Sequence, residues 1–197
     1  LVENSFRDTQ IAFANELSMI CDEAEIDVWE LIKLANRHPR VDILNPGPGV
    51  GGHCIAIDPW FLISNFDTTT NLIRTSRELN NLKKNWTLNK INEKFEDDIY
   101  QLLICYGVTY KANTNDVRES PALEIFRQLR LVHGEKVIAI DPLVDEDPIN
   151  GIYAAVPEHQ VHRKNTFSAI LVAHEQFENI VWDTKRLFDC CGLLERS

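Results

Sequence analysis

A cysteine with a carboxylate four residues on is the arrangement in this chain best suited to covalent chemistry. Cys54 and Asp58 lie in the run Pro46-Gly47-Pro48-Gly49-Val50-Gly51-Gly52-His53-Cys54-Ile55-Ala56-Ile57-Asp58-Pro59-Trp60. Glycine takes backbone angles that other residues resist and lets a ligand approach the main chain closely. A thiolate at the end of such a run can attack an electrophilic carbon, and the carboxylate beside it can handle protons or water. The same spacing also fits a tight turn before a short buried segment, with Cys54 as a small, inert apolar residue. His53 adjoins Cys54, but neighbouring side chains seldom point together. A backbone or ligand hydrogen bond therefore suits His53 better than a catalytic dyad, and no metal is expected between His53, Cys54 and Asp58.

Two further clusters have the character of ligand sites. Gly107-Val108-Thr109-Tyr110-Lys111-Ala112-Asn113-Thr114-Asn115-Asp116-Val117-Arg118-Glu119-Ser120 joins an apolar run to a helix start. Ligands of open α/β sheets bind at such strand ends. Its cations, Lys111 and Arg118, would on their own read as charges on a solvated loop. Arg37-His38-Pro39-Arg40 offers planar guanidinium groups suited to phosphate or carboxylate. It fits equally well a helix C-terminus whose cations complement the helix dipole.

These residues need elements to hold them. The first half reads as helical, with Phe6, Phe13, Leu17 and Ile20 on one face. Asp27 is a good N-cap for the next helix, with Glu30 completing a capping-box-like pair and Ile26 and Leu31 at hydrophobic-staple positions. That helix ends near Arg37, and the Pro/Gly run follows as loop. A long helix is expected from about Asn71 to Phe95, striped by Leu72, Leu79, Leu82, Trp86 and Phe95, and such a helix needs a packing partner. The second half alternates differently. Tyr100 to Tyr106 reads as a buried parallel strand. Ser120-Pro121 starts a helix whose buried positions are Leu123, Ile125, Phe126 and Leu129. Lys136 to Ile140, closed by Asp141-Pro142, and Ser168 to Val172, followed by His174-Glu175-Gln176-Phe177, read as further strands. This β-α-β pattern implies a parallel α/β domain with a right-handed crossover. The boundary between the halves is expected around Glu96-Asp98.

At 197 residues, 44% hydrophobic and 25% charged, the chain has enough material for a real core. The net charge of −10 argues against general nucleic-acid binding, which needs a basic face. It leaves room for an anionic small ligand held by local cations. No apolar run approaches the roughly 20 residues that span a bilayer, and Leu1-Val2-Glu3-Asn4 does not read as a signal peptide. Cys21, Cys54, Cys105, Cys190 and Cys191 are an odd set without framework spacing, which favours reduced thiols in a cytosol.

Taken together, Arg37-His38-Pro39-Arg40, the run through Cys54 and the loop through Tyr110 closely resemble the nucleotide-sugar 6-dehydrogenases, the UDP-glucose/GDP-mannose dehydrogenase family. Asn36-Arg37-His38-Pro39-Arg40 and Asp58-Pro59-Trp60-Phe61 resemble most those members that act on UDP-N-acetyl-D-mannosamine. The resemblance implies an α/β protein in two parts. A mostly helical central dimerisation domain would cover 1–96, and a Rossmann-like, parallel α/β UDP-sugar-binding domain would cover 97–197. It implies a two-step oxidation of a primary alcohol to a carboxylate with two NAD. The Cys54 thiolate would form a thiohemiacetal and then a thioester, Asp58 would position or activate the hydrolytic water, and Asn4 would stabilise the oxyanion. Substrate binding would fall to Arg37, His38, Arg40, Gly51, His53, Tyr110 and Lys111, and Arg118 would approach the NAD phosphates. The implied setting is a cytoplasmic homodimer with no nucleic-acid or membrane partner. UDP-N-acetylglucosamine or UDP-glucose as substrate, or a non-catalytic, dimerising UDP-sugar-binding fragment, are the alternatives. The family's Lys-x-x-x-Asn pattern would put a lysine immediately before Leu1, and its cofactor domain lies N-terminal to the matched region. No Gly-x-Gly-x-x-Gly follows an apolar strand here, and the glycines at 47, 49, 51 and 52 precede no helix of the right kind, so the chain reads as the central and C-terminal portions of a longer enzyme, portions that would be inactive alone. Ala112, Asn81 and Lys84 depart from the family's proline, acidic residue and proline. The first should loosen its loop, and the other two bear on contacts at the cleft.

Overall fold

The computed structural model describes residues 1–95, 99–156 and 165–196. The expected boundary at Glu96-Asp98 lies outside the described residues. Two long helices dominate the first half, α1 (Val2–Glu23) and α4 (Asn71–Lys94). Between them come the short helices α2 (Val28–Ala35) and α3 (Asp58–Asn65). Asp27 caps α2 as its position suggests, its carboxylate accepting the N–H groups of Trp29 and Glu30 at 2.8 and 3.0 Å.

Helices α1 and α4 run side by side in the same direction, since Asp8 meets Arg77, Ser18 meets Lys83 and Asp22 meets Lys90. Their contact is polar. The buried face of α1 is Ser5, Asp8, Ala12, Ala14, Asn15, Ser18 and Cys21. That of α4 is Ser76, Arg77, Asn80, Lys83, Thr87 and Ile91. Small residues on α1 admit the long polar chains of α4, and hydrogen bonds replace the apolar contact of an ordinary helix pair. The apolar face read from the sequence does form, but it points away from this interface. Phe6, Phe13 and Ile20 are 62%, 55% and 57% exposed, and Leu72 and Leu82 are exposed too. Only Phe95, at the C-terminal end of the α4 stripe, is fully buried, and it enters the core of the second half.

That second half is a five-stranded, wholly parallel sheet of order β3-β2-β1-β4-β5. Its strands are β1 (Leu102–Tyr106), β2 (Val137–Ile140), β3 (Ile152–Tyr153), β4 (Thr166–Ile170) and β5 (Leu187–Asp189). The central strand β1 is buried at every position, as a strand covered on both faces must be. Helix α5 (Pro121–His133) makes the crossover from β1 to β2. It starts as the sequence indicates, with Ser120 Oγ accepting the Leu123 N–H and Pro121 in the first turn. It buries Leu123, Ile125, Phe126 and Leu129. The strand expected at Ser168–Val172 begins two residues earlier, and β3 and β5 escape the sequence because two or three residues leave no periodic signal. Among the described residues, no helix is long and apolar enough to cross a membrane.

Candidate functional site

The Cys54 loop is held at both ends and in the middle. At its start, Asn15 of α1 accepts the Gly47 N–H through Oδ1 at 2.9 Å. The other end of that amide donates to Asn80 Oδ1 at 2.9 Å, and Asn80 in turn donates to Asp8. In the middle, Gly51 and Gly52 lie against the loop that follows β1. A Cβ on Gly51 would come within 2.4 Å of the Glu119 carbonyl and 2.7 Å of Pro121 Cδ. One on Gly52, whose φ is +86°, would meet the Tyr110 ring at 2.8 Å. Only glycine permits this approach. The Gly52 N–H also donates to the Arg118 carbonyl at 3.3 Å. The two stretches that sequence reasoning marked separately are thus one packed unit.

Beyond the glycines the chain turns into α3. The Cys54 carbonyl accepts the Asp58 N–H at 2.8 Å, which leaves the thiol exposed at the mouth of the turn. The other four cysteines are buried. Asp58 opens α3, where a carboxylate suits the helix dipole. Asn4, in the first turn of α1, donates from Nδ2 to Asp58 Oδ2 at 2.6 Å. An amide, a carboxylate and a reachable thiol therefore share one corner, and His53 beside them is exposed. Such a corner can form and break a bond to sulfur with water at hand. Among the described residues, no group of three His, Cys, Asp or Glu side chains is arranged to hold a metal.

On the facing loop, Lys111 is exposed, with Nζ 5.4 Å from the centre of the Tyr110 ring. Arg118 is 70% exposed, and Asp116 grips its guanidinium, Nε to Oδ1 at 3.0 Å and Nη2 to Oδ2 at 2.7 Å. The Arg118 hydrogen bonds hold the Asp116 carboxyl down at about 2, and the same pairing raises Arg118. Arg37, His38 and Arg40 sit on an exposed turn after α2. Asn36 staples that turn shut through Ile43, at 2.7 and 2.9 Å. Among the described residues, none of the three hydrogen-bonds to the Cys54 loop. Asn81 and Lys84 line a cleft of about 470 Å³ together with Val50, Trp60, Ser120 and Arg127.

Sequence reasoning missed a buried trio behind the Lys111 loop. Thr109, Asp141 and His174 follow β1, β2 and β4, and each is 0% exposed. His174 Nε2 lies 3.2 Å from both Asp141 Oδ2 and Thr109 Oγ1, and its Nδ1 accepts the Asn113 N–H at 3.0 Å. Burial works to raise the Asp141 carboxyl, but the bonds from His174 and from the N–H groups of Val108 and Leu143 prevail and hold it low. The available signal was positional, since Asp141 and His174 each stand where an apolar strand stops.

Two family models match this chain. The central domain of the UDP-glucose/GDP-mannose dehydrogenase family matches residues 1–82, and the UDP binding domain of the same family matches residues 104–196. Among curated proteins, the NDP-N-acetyl-D-galactosaminuronic acid dehydrogenase of Ralstonia nicotianae is 45% identical over 189 residues, covering 95% of this chain and 44% of the relative. The UDP-N-acetyl-D-mannosamine dehydrogenase of Campylobacter jejuni is 43% identical over 187 residues, covering 93% and 46%. Among solved structures, a UDP-N-acetyl-mannosamine dehydrogenase from S. aureus superimposes with a TM-score of 0.82 at 37% identity, covering 98% of this chain and 46% of that one. The chain therefore spans less than half the length of the relatives it matches.

Proposed function

The chain belongs to the UDP-glucose/GDP-mannose dehydrogenase family, and from that premise we propose that it is the central and UDP-binding part of a nucleotide-sugar 6-dehydrogenase. Its substrate on this reading is UDP-N-acetyl-D-mannosamine, oxidised at C6 to the uronate. The observation that carries the reading is the docking of the Gly51-Gly52 backbone onto Tyr110 and Glu119, which sets an exposed thiol opposite a loop bearing Lys111 and Arg118. Relatives from Escherichia coli and Campylobacter jejuni carry the name of that substrate. The Ralstonia relative is named for another N-acetylhexosaminuronate, so the acetamido sugar is the better-supported feature and its stereochemistry the finer part of the proposal.

Two NAD, bound in succession, would each accept one hydride. Of the residues proposed for the site, this chain offers the cofactor one cation, Arg118, whose exposed guanidinium suits a phosphate oxygen. The remaining chemistry falls to the corner described above. Once the C6 alcohol has become an aldehyde, the Cys54 sulfur adds to its carbon, and the aldehyde oxygen takes a proton to give a thiohemiacetal. Loss of the second hydride and that proton leaves a thioester. Water then adds to the carbonyl, sulfur leaves as thiolate, and the carboxylate is released. Asp58 holds that water and accepts its proton. Asn4 orients Asp58 and offers its amide to the oxyanion. Lys111 and Tyr110 hold the UDP portion. Arg37, His38 and Arg40 reach the site of a second copy in a homodimer.

The test is protection of Cys54. Iodoacetamide should label Cys54 first, and UDP-N-acetyl-D-mannosamine should slow that labelling while leaving the four buried thiols unchanged. Equal labelling with and without the nucleotide sugar would overturn the placement of the substrate. The chain alone, given NAD and the same sugar, should form no NADH.

A further inference from the structure

The trio behind the Lys111 loop has a bonding pattern that fixes its protonation. His174 Nδ1 accepts a backbone N–H, that of Asn113, so it carries no proton. The single proton of a neutral imidazole then sits on Nε2, between Asp141 Oδ2 and Thr109 Oγ1, both at 3.2 Å. Asp141 is fully engaged, with Oδ2 also accepting the Val108 N–H at 2.7 Å and Oδ1 the Leu143 N–H at 3.0 Å. Thr109 donates onward to the Lys111 carbonyl at 2.9 Å. Asn113 sits at φ +59°, in the left-handed region that asparagine enters more readily than most non-glycine residues. Its side chain is locked against Glu175 by two bonds, of 2.8 and 3.0 Å. The Phe177 ring packs against the imidazole at a steep angle, 5.4 Å away between ring centres.

From this we infer that His174 is the positioning residue for Lys111. Through Nδ1 it fixes the backbone two residues after Lys111, and through Thr109 it fixes the Lys111 carbonyl itself. The lysine stem thus leaves a rigid segment, with the ammonium presented to the diphosphate of a nucleotide sugar. A neutral imidazole suits the task because it accepts on one edge and donates on the other while excluding water. The inference deepens the functional reading above and rests on it in one respect, that Lys111 holds the UDP portion.

Two amide substitutions separate the two edges of the ring. In His174→Asn the amide reaches the place of Nδ1 and can still accept the Asn113 N–H. In His174→Gln it reaches the place of Nε2 and can still donate to Asp141, leaving the Asn113 N–H unpaired. With UDP as the probe in titration calorimetry, His174→Gln should weaken binding about tenfold and His174→Asn less than threefold, although both lower the melting temperature. Amide exchange at Asn113 should quicken in the Gln variant alone. Equal losses of affinity and equal exchange in the two variants would overturn the inference, as would no loss in either. Lys111→Ala keeps the two readings apart. If it leaves UDP binding unchanged, the functional reading fails, and exchange at Asn113 then decides the positioning role alone. Should neither His174 variant fold, nitrogen-15 shifts of the unaltered chain decide. An unprotonated Nδ1 with a protonated Nε2 at neutral pH is expected, and the reverse tautomer or an imidazolium would overturn it.

Discussion

The two halves of this molecule bury opposite kinds of surface. Between α1 and α4 the inside is polar and the outside apolar. Asp8, Asn15, Arg77, Asn80 and Lys83 are at most 2% exposed, whereas Phe6 and Phe13 stand in solvent. In the α/β half the usual order holds, and β1, β2 and α5 bury Leu103, Ile104, Ile125, Phe126, Leu129 and Val137. The difference shows that a helix's apolar stripe, read from sequence, need not be the face that packs inside its own chain. In the second half the sheet covers it. In the first half Phe6, Phe13 and Ile20 stay exposed, and hydrogen bonds hold the pair of helices together.

The sharpest way to break this contrast is at the buried ion pair. Arg77 Nη1 meets Asp8 Oδ1 at 2.7 Å with both side chains 1% exposed, while Asp8 Oδ2 and Arg77 Nε have no hydrogen-bond partner among the described residues. Burial pushes the Asp8 carboxyl up against the opposing pull of Arg77 and Asn80. Arg77→Met alone should cost about 3–5 kcal/mol, because it strands a buried carboxylate. The double variant Asp8→Leu/Arg77→Met should recover most of that loss, because the desolvation of both charges disappears with them. Ile104→Ala in β1 should cost about 2–5 kcal/mol through its cavity, a loss that no second polar change can recover. Urea denaturation of the four proteins checks both claims, and a double variant as unstable as Arg77→Met would show that the pair is a net stabiliser.

A smaller effect should appear in the pH dependence. Lys83 is 2% exposed, donates to Ser18 Oγ at 2.7 Å and lies over the Trp86 ring at 3.6 Å. Burial lowers it to about 8 against the opposing influence of Cys190 and Asp22. Its folded pKa is thus depressed below the unfolded value of 10.5. Folded and unfolded chains both carry the charge well below pH 8, where the folded state bears the whole burial penalty. As pH rises from about 8 to 10.5 the folded state sheds its proton first, and stability should rise by on the order of 2–3 kcal/mol. Lys83→Met should remove that rise. The measurement is the difference between the two proteins' unfolding free energies at pH 7.5 and pH 10, which cancels the other titrating groups. A flat difference would mean that Lys83 stays charged, held by the ring and the hydroxyl.

Legibility in the sequence divides along the same line. The α/β elements were readable because Leu102 to Tyr106 and Val137 to Ile140 are continuous apolar runs and Ser120-Pro121 is a strong helix start. The short edge strands at Ile152 and Leu187 were not, since they pair only because their neighbours present an edge. At the candidate site, the Cys54 run and the Tyr110 loop were each visible, but not their packing. That depends on Gly51 and Gly52 approaching Tyr110, Glu119 and Pro121, and local sequence carries no record of such a contact. The Asn15–Asn80 and Asp141–His174 pairs were invisible for the same reason. A lone Asn or His carries its meaning only once a partner stands 3 Å away.

The smallest expected effect on stability sits on the exposed stripe, and it sharpens the comparison most. Phe13 is 55% exposed at the middle of a row, Phe6, Phe13, Ile20, that repeats every seven residues on the outer face of α1. If the stripe awaits a second copy, Phe13→Ser should change the unfolding of the isolated chain by less than about 0.5 kcal/mol, as an exposed substitution does. It should nonetheless abolish dimerisation at micromolar concentration, because a two-fold interface meets the same substitution twice. The two readings must be taken under different conditions. Unfolding is measured dilute, below the dissociation constant, since a dimer adds concentration-dependent stability of its own. Assembly is measured by light scattering or sedimentation at higher concentration. A substitution on the polar face, Asn15→Leu, should do the opposite, lowering stability by about 1–3 kcal/mol through the unpaired Asn80 Oδ1 and Gly47 N–H while leaving the outer face able to pair. A wild-type chain that stays monomeric, or a Phe13→Ser chain that dimerises as well as wild type, would show that a second copy does not cover the apolar face.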